Sequence, residues 1–229
     1  MTNELIFLGS IFAVSTAALT ALRLGKDYLI GLISTLSVVV NLFVIKQITL
    51  FGFTATASDA LAVGITLSLN LMQEYYGKPS ALKAIWVGFF CALFYCLMSL
   101  LHLAYIPALL DVSSVHYEAL LSMMPRTIIA SLTVYLIVQY IDAQLYGFMK
   151  RRFEGRFFVL RNYSTLACTQ LLDTVLFSFL GLYKLNAAYS SLSVLGEIIL
   201  VSTLIKLIVI LIAVPYVRLA KIFYPVPTS

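Results

Sequence analysis

Asp173 stands in the middle of an apolar run, one helical turn after Gln170, between the basic residues Arg161 and Lys184. The 22 residues between those ends suffice to cross a hydrocarbon layer as a helix. A carboxylate at that depth costs about 2.5–3.5 kcal/mol on insertion scales, so it must face a protein interior and find a partner. The preceding run repeats the pattern: Gln139 and Asp142 are spaced i,i+3, as are Gln170 and Asp173, and each pair shares one helix face. A lysine, Lys206, lies inside the last run, and Thr66, Asn70 and Glu74 line one face of the third, with Gln73 beside them. Carboxylates, amides and one ammonium suit three tasks: binding a polar solute, relaying protons, or joining helices by hydrogen bonds. A single amide is adequately explained by helix packing. Two acids, a lysine and several amides exceed what packing requires and favour a transport site.

Covalent chemistry has little support. His102 and His116 fall in a connector, whereas Cys168 falls inside an apolar run, so no Cys–His dyad forms. No Gly-rich phosphate loop, CxxC or HExxH pattern is present. The connector holding His102, Asp111, His116 and Glu118 matches no metal-ligand spacing. The expectation is a non-enzyme with neither cofactor nor metal.

The elements that must position these residues are set by composition. Hydrophobic residues make up 62% of the 229 and charged residues 11%, with a mean hydropathy of +1.01. So few charges cannot cover a soluble surface, and the class is an all-α polytopic membrane protein in contact with the lipid bilayer. Seven apolar runs, roughly 4–22, 28–48, 59–76, 82–103, 124–147, 163–183 and 195–217, are each long enough to span. Residues 1–229 are read as a single integral membrane domain. The first run lacks the leading positive charge of a cleaved signal and is read as a retained helix. The three cysteines lie in apolar runs and are assigned to ordinary buried packing.

The formal charge of +5 does not indicate nucleic acid, because 11 of the 15 basic residues, Arg161 among them, sit on alternate connectors. Their placement predicts an outer N-terminus and an inner C-terminus at a cytoplasmic membrane. The uncharged stretch 47–58 reads as a re-entrant dip or as an extension of a neighbouring helix. Pro125 fits a first helical turn, and Pro215 should kink the last helix and free the carbonyl of Leu211.

Depth follows from helix rise. Asp173 is 12 residues from Arg161 and Lys206 is 12 from Arg218, each about 18 Å along a helix, which makes them a natural ion pair. Asp142 and Asn70 lie eight residues from Lys150 and Lys78, about 12 Å in. Asn70, Gln139, Asp142, Gln170, Asp173 and Lys206 therefore fall within about one turn of depth. Arg126 lies nearer the outer surface, at a mouth. Tyr135 and Phe177, one turn from the polar set, are candidates for stacking on a flat ligand.

The run Asn70-Leu-Met-Gln-Glu74-Tyr-Tyr-Gly77-Lys78-Pro-Ser-Ala81 resembles the Asp-Leu-x-x-Glu-x-Tyr-Gly-Lys-x-x-Ala signature of the queuosine-precursor transporters, the vitamin uptake transporter family. Arg126, Ser131, Gln139 and Asp142 resemble a second family pattern. Ser164, Thr165, Gln170, Asp173 and Thr174 resemble a third, and Lys206 with Pro215 a fourth. The similarity covers residues 28–220 and leaves 4–22 as an additional helix before a six-helix unit. Asn70 stands where the family usually has Asp, which keeps an acceptor and removes a charge.

The resemblance implies uptake of a 7-deazaguanine: preQ0, preQ1 or the base queuine. Asp173 or Glu74 would then accept from the N1/N2 edge, and Gln139, Gln170 and Asn70 would supply amide contacts. Lys206 would hold Asp173 charged or reach O6, and Asp142 would meet a cationic arm. A coupling ion, an energising subunit or a homo-oligomer is compatible with this. The alternatives are carriage of another small vitamin or nucleobase, and a structural membrane protein that moves nothing.

Overall fold

The computed structural model describes residues 2–43, 46–121, 125–154, 156–184 and 191–223. Eight α-helices follow one another: α1 (Thr2–Leu24), α2 (Lys26–Phe43), α3 (Asp59–Tyr76), α4 (Lys78–Leu103), α5 (Ser114–Leu121), α6 (Pro125–Arg152), α7 (Phe158–Phe177) and α8 (Leu192–Phe223). A π-helical turn, Ser178–Leu182, continues α7. The protein is an all-α polytopic membrane protein. Among the described residues, five helical segments are long and apolar enough to cross a membrane: Thr2–Leu24, Lys26–Phe43, Lys78–Leu103, Phe158–Leu182 and Leu192–Ala213. The long helices outside that set, α3 and α6, are the two that carry Asn70 and Glu74, and Gln139 and Asp142.

The stretch between Arg161 and Lys184 is not the centre of the bundle. That place belongs to α3, which buries 14 of its 18 residues and packs against α1, α2, α4, α6, α7 and α8. Shielding on every side explains why α3 need not be as apolar as a lipid-facing helix. Small residues permit this crowding. Ala60, Gly64 and Ser68 recur every four residues and are all buried. A Cβ at Gly64 would lie 2.2 Å from Val14 Cγ1 on α1. The additional N-terminal helix is therefore built into the core, where it buries Phe7, Ile11, Val14, Ala18 and Leu22.

The expectation for 47–58 is corrected. Gln47–Leu50 and Phe53–Thr56 form an antiparallel hairpin, with Leu50 opposite Phe53 and Gln47 opposite Thr56. The β-branched residues Ile48, Thr49, Thr54 and Thr56 favour extended backbone. Phe51 and Gly52 adopt φ of 51° and 83°, the paired positive angles that a two-residue hairpin loop demands. An isolated hairpin is marginal, and this one is tied to the start of α1. Asn3 Nδ2 donates to the Thr49 carbonyl at 3.2 Å, and Phe51 N donates to Glu4 Oε1 at 3.3 Å.

At the opposite end, Gly77 turns α3 into α4 at φ 81°, a conformation that penalises any Cβ. Tyr76 OH donates to the Leu22 carbonyl at 3.4 Å, and Lys78 Nζ donates to Gln144 Oε1. These contacts place the C-termini of α1, α3 and α6 together and gather their basic residues at one end. Of the cysteines, Cys96 is buried, Cys91 half-buried and Cys168 exposed, so ordinary interior packing describes only Cys96. Just before α5, Asp111 accepts from Ser113 N at 2.7 Å and from Ser114 Oγ. Those hydrogen bonds, the Ser114 hydroxyl's foremost, hold its carboxyl below the ordinary aspartate range. His102 stacks edge-on with Tyr117, their centroids 4.8 Å apart.

Pro125 opens α6, and Pro215 lies inside α8. Proline at 215 removes the N–H that would otherwise bond the Leu211 carbonyl. Tyr163 OH on α7 donates to that carbonyl at 3.2 Å.

Two outcomes follow for thermal unfolding of the detergent-solubilised protein. Gly64→Ala should destabilise it by about 1–3 kcal/mol through overpacking, and Val14→Ala in the same chain should recover most of that loss. Tyr163→Phe should cost about 1 kcal/mol, and less when Pro215→Ala returns an in-helix donor to Leu211.

Candidate functional site

Two charged clusters and an amide-rich layer between them account for the polar interior. At the basic end, Glu74 on α3 has both carboxylate oxygens engaged. Arg161 Nη2 lies 3.3 Å from Oε1, Lys150 Nζ 3.2 Å from Oε2, and Tyr146 OH donates to Oε2 at 3.0 Å. The sequence expectation for Arg161 fails here. It is not a solvated connector charge: none of its surface is exposed, because α7 begins at Phe158 and carries Arg161 inward in its first turn. Its guanidinium lies 5.3 Å from the Tyr146 ring centroid and 5.7 Å from that of Phe158, and Nε donates to the Arg156 carbonyl at 3.0 Å. Aromatic faces and a carboxylate replace the water this cation has lost. Glu74 thus joins α3, α6 and α7 and has no oxygen left over for a ligand edge.

Toward the other end, Lys206 Nζ on α8 meets Asp173 Oδ2 on α7 at 2.5 Å, the partnership that equal depth suggests. The lysine side chain is 7% exposed and the aspartate 27%, so this pair is the more open of the two clusters. Asp59 is a further buried carboxylate, at the start of α3.

The layer between them is held by α3, α6 and α7. Asn70 Nδ2 donates to Thr165 Oγ1 at 3.4 Å, and Gln170 Nε2 to Thr66 Oγ1 at 3.1 Å, joining α3 to α7. Thr169 Oγ1 donates to Asp142 Oδ1 at 3.1 Å, joining α7 to α6. Gln73 Nε2 donates to the Ala143 carbonyl at 3.1 Å, joining α3 to α6. Asn70, Gln139, Asp142 and Gln170 are each 5% exposed or less. Four buried oxygens in this layer have no hydrogen-bond donor among the described residues: Asn70 Oδ1, Gln139 Oε1, Asp142 Oδ2 and Gln170 Oε1. Buried acceptors left unpaired cost about 1–3 kcal/mol each, so their coincidence in one layer points to donors arriving from outside.

The seven sequence candidates therefore divide. Asn70, Gln139, Asp142 and Gln170 lie in the acceptor layer, Glu74 lies in the clamp at the basic end, and Asp173 with Lys206 forms the second charged cluster. The Gln-x-x-Asp pairs diverge in partner: Gln170 reaches α3, while Asp173, one turn later, reaches α8. Arg126 belongs to the first turn of α6, and its side chain lies outside the described residues. The Tyr135 hydroxyl meets α2 and α4. It accepts from Ser37 Oγ on α2 at 3.0 Å, and a Cβ at Gly88 on α4 would lie 2.6 Å from it. Phe177 packs against its own helix, 3.0 Å from the Cβ position of Gly181. Sequence reasoning left out Thr169, Arg161 and Tyr146 as site-forming groups. The i,i+4 spacing of Arg161, Thr165 and Thr169 on one face of α7 is the signal that marks Thr169 and Arg161; no such signal marks Tyr146 on α6.

The family described as "Putative vitamin uptake transporter" matches residues 56–220. A relative from Bacillus subtilis (strain 168), described as "Probable queuosine precursor transporter", is 33% identical over 205 residues, covering 88% of this chain and 86% of its own. No solved structure matches the chain.

The clamp generates a stability outcome. Arg161→Ala or Glu74→Gln should cost about 3–5 kcal/mol, because each leaves a buried charge without its counterpart. Lys150→Ala, whose side chain is 36% exposed, should cost about 1 kcal/mol or less. Fluorescence-detected size exclusion after graded heating measures all three.

Proposed function

Since the chain belongs to the vitamin uptake transporter family, we propose that it imports a queuosine precursor, a 7-deazaguanine base such as preQ0, preQ1 or queuine, across the cytoplasmic membrane. The cargo of the Bacillus relative named above supports this reading. The observation that carries it is the set of four donor-free oxygens on α3, α6 and α7. A guanine-like edge presents N1–H and an exocyclic amine side by side, which suits a carboxylate. Asp142 takes that role in place of the two acids favoured from sequence, because Glu74 is consumed by the clamp and Asp173 by Lys206. Asn70 Oδ1, Gln139 Oε1 and Gln170 Oε1 receive the remaining ring and side-arm donors, and an amide N–H of Gln139 serves O6. A buried site of this kind rejects analogues that lack the matching donors, since its own acceptors would stay unpaired.

Transport follows from the order of the clusters along the helices. On α7, Arg161, the acceptor layer and Asp173 succeed one another; on α3, Glu74, Asn70 and Asp59 do so in reverse. The Glu74–Arg161 clamp closes the layer toward the cytoplasm, and the more exposed Asp173–Lys206 pair closes it toward the outside. Seven helices cross the bilayer with the N-terminus outside, and cargo passes unaltered when one closure opens while the other holds.

Uptake of labelled preQ1 and queuine by cells lacking their own transporter, followed to queuosine in transfer RNA, tests the assignment; accumulation of neither base would end it. Asp142→Asn should lower uptake by about tenfold or more, the equivalent of one charge-assisted hydrogen bond, with protein abundance in the membrane unchanged.

A further inference from the structure

A cavity of about 310 Å³ lies at the basic end, and none of the four donor-free acceptors lines it. Lys78, Lys150 and Arg151 line it together with a single acid, Glu154, and its remaining walls are Gln73, Gly77 and Gly147. Glycine inside a helix costs about 1 kcal/mol relative to alanine, yet Gly147 falls within α6. What a side chain there would displace accounts for it. A Cβ at 147 would lie 2.8 Å from Gln73 Nε2, 3.7 Å from Arg151 Nη1 and 3.7 Å from Lys78 Cδ. An amide donor, a guanidinium and a lysine stem therefore converge on a space that the missing side chain keeps open.

The cations around that space are unequally occupied. Lys78 gives a hydrogen bond to Gln144, and Lys150 is paired with Glu74. The Arg151 side chain makes no hydrogen bond or ion pair among the described residues, and the residue is exposed. Three cations against one carboxylate leave a formal excess of two positive charges, which matches a phosphate group in charge and in its appetite for N–H donors. From this arrangement we infer that the cavity is an anion site for a phosphate group, reached from the basic face and independent of the cargo site. The phosphate is supplied either by the headgroup of an anionic lipid or by a small soluble phosphate ester. Lys150 belongs both to this cavity and to the Glu74 clamp, so an occupied site draws on the same ammonium that helps to hold α3 to α6.

The test uses the full chain in nanodiscs of phosphatidylcholine, with inorganic phosphate, glycerol 3-phosphate or admixed phosphatidylglycerol as probes. Binding is read by thermal stabilisation and by native mass spectrometry. A soluble ligand is indicated if the two free phosphates stabilise the protein, and a lipid site if phosphatidylglycerol alone is retained. In either case Arg151→Gln should weaken binding about tenfold, as expected for one charge-assisted contact, and Gly147→Ala should abolish it by filling the cradle. Arg151 is exposed, so its variant stays informative if Gly147→Ala does not fold. Retention of no probe overturns the inference, as does retention unchanged by Arg151→Gln. Neither outcome touches the assignment of cargo, which is read by uptake.

Discussion

An arginine with no exposed surface is the most demanding object in this molecule, and the contact that makes it tolerable is its pairing with Glu74. Stripping a guanidinium of water costs several kcal/mol even after relaxation, so one oxygen of the acid and two aromatic rings are committed around it, while Lys150 and Tyr146 hold the other oxygen. That commitment fixes the relative positions of α3, α6 and α7 at one end. With those three helices pinned, the level at which Asn70, Asp142 and Gln170 face one another is decided by helix rise alone.

The two kinds of polar group in the interior behave oppositely. In the charged clusters the acids are met by cations, as the penalty for an isolated buried charge requires. In the layer between them, Thr169 donates to one oxygen of Asp142, while Thr165 and Thr66 accept from the amide nitrogens of Asn70 and Gln170; Asp142 Oδ2 and the amide oxygens are left without a donor among the described residues. A bundle stabilised only by interhelical hydrogen bonds would gain by saturating such atoms. The ends are saturated and the middle is not, and the family to which the chain belongs is described as one of vitamin uptake transporters.

Much of this was legible in the sequence, for reasons that can be named. The depth argument brings Lys206 to Asp173 because helix rise is constant and the basic connectors supply an origin. The freed carbonyl of Leu211 was visible because proline's missing N–H is a covalent fact. Arg161 was not legible as buried, since it follows four other basic residues and charge counting treats all five alike. The expectation of Asp173 or Glu74 at a ligand edge did not foresee that Arg161 and Lys150 meet Glu74, for the same cause: the partner of Glu74 was assigned to water. The centrality of α3 was hidden by its modest hydropathy, although the spacing of Ala60, Gly64 and Ser68 is the pattern of close helix approach. The hairpin was masked by Phe51, an unusual residue for a loop position with positive φ.

The seam between Val14 and Gly64 also bears on how the protein is made. A chain emerges from the ribosome N-terminus first, so α1 enters the membrane before the helix whose missing side chain it fills. Until α3 arrives, the groove-facing surface of α1, with Phe7, Ile11 and Val14, rests against lipid or the insertion machinery. Biogenesis therefore passes through a stage in which the first helix waits for the third. The short link at Gly25, which joins α1 directly to α2, keeps that first helix within reach when its counterpart comes through.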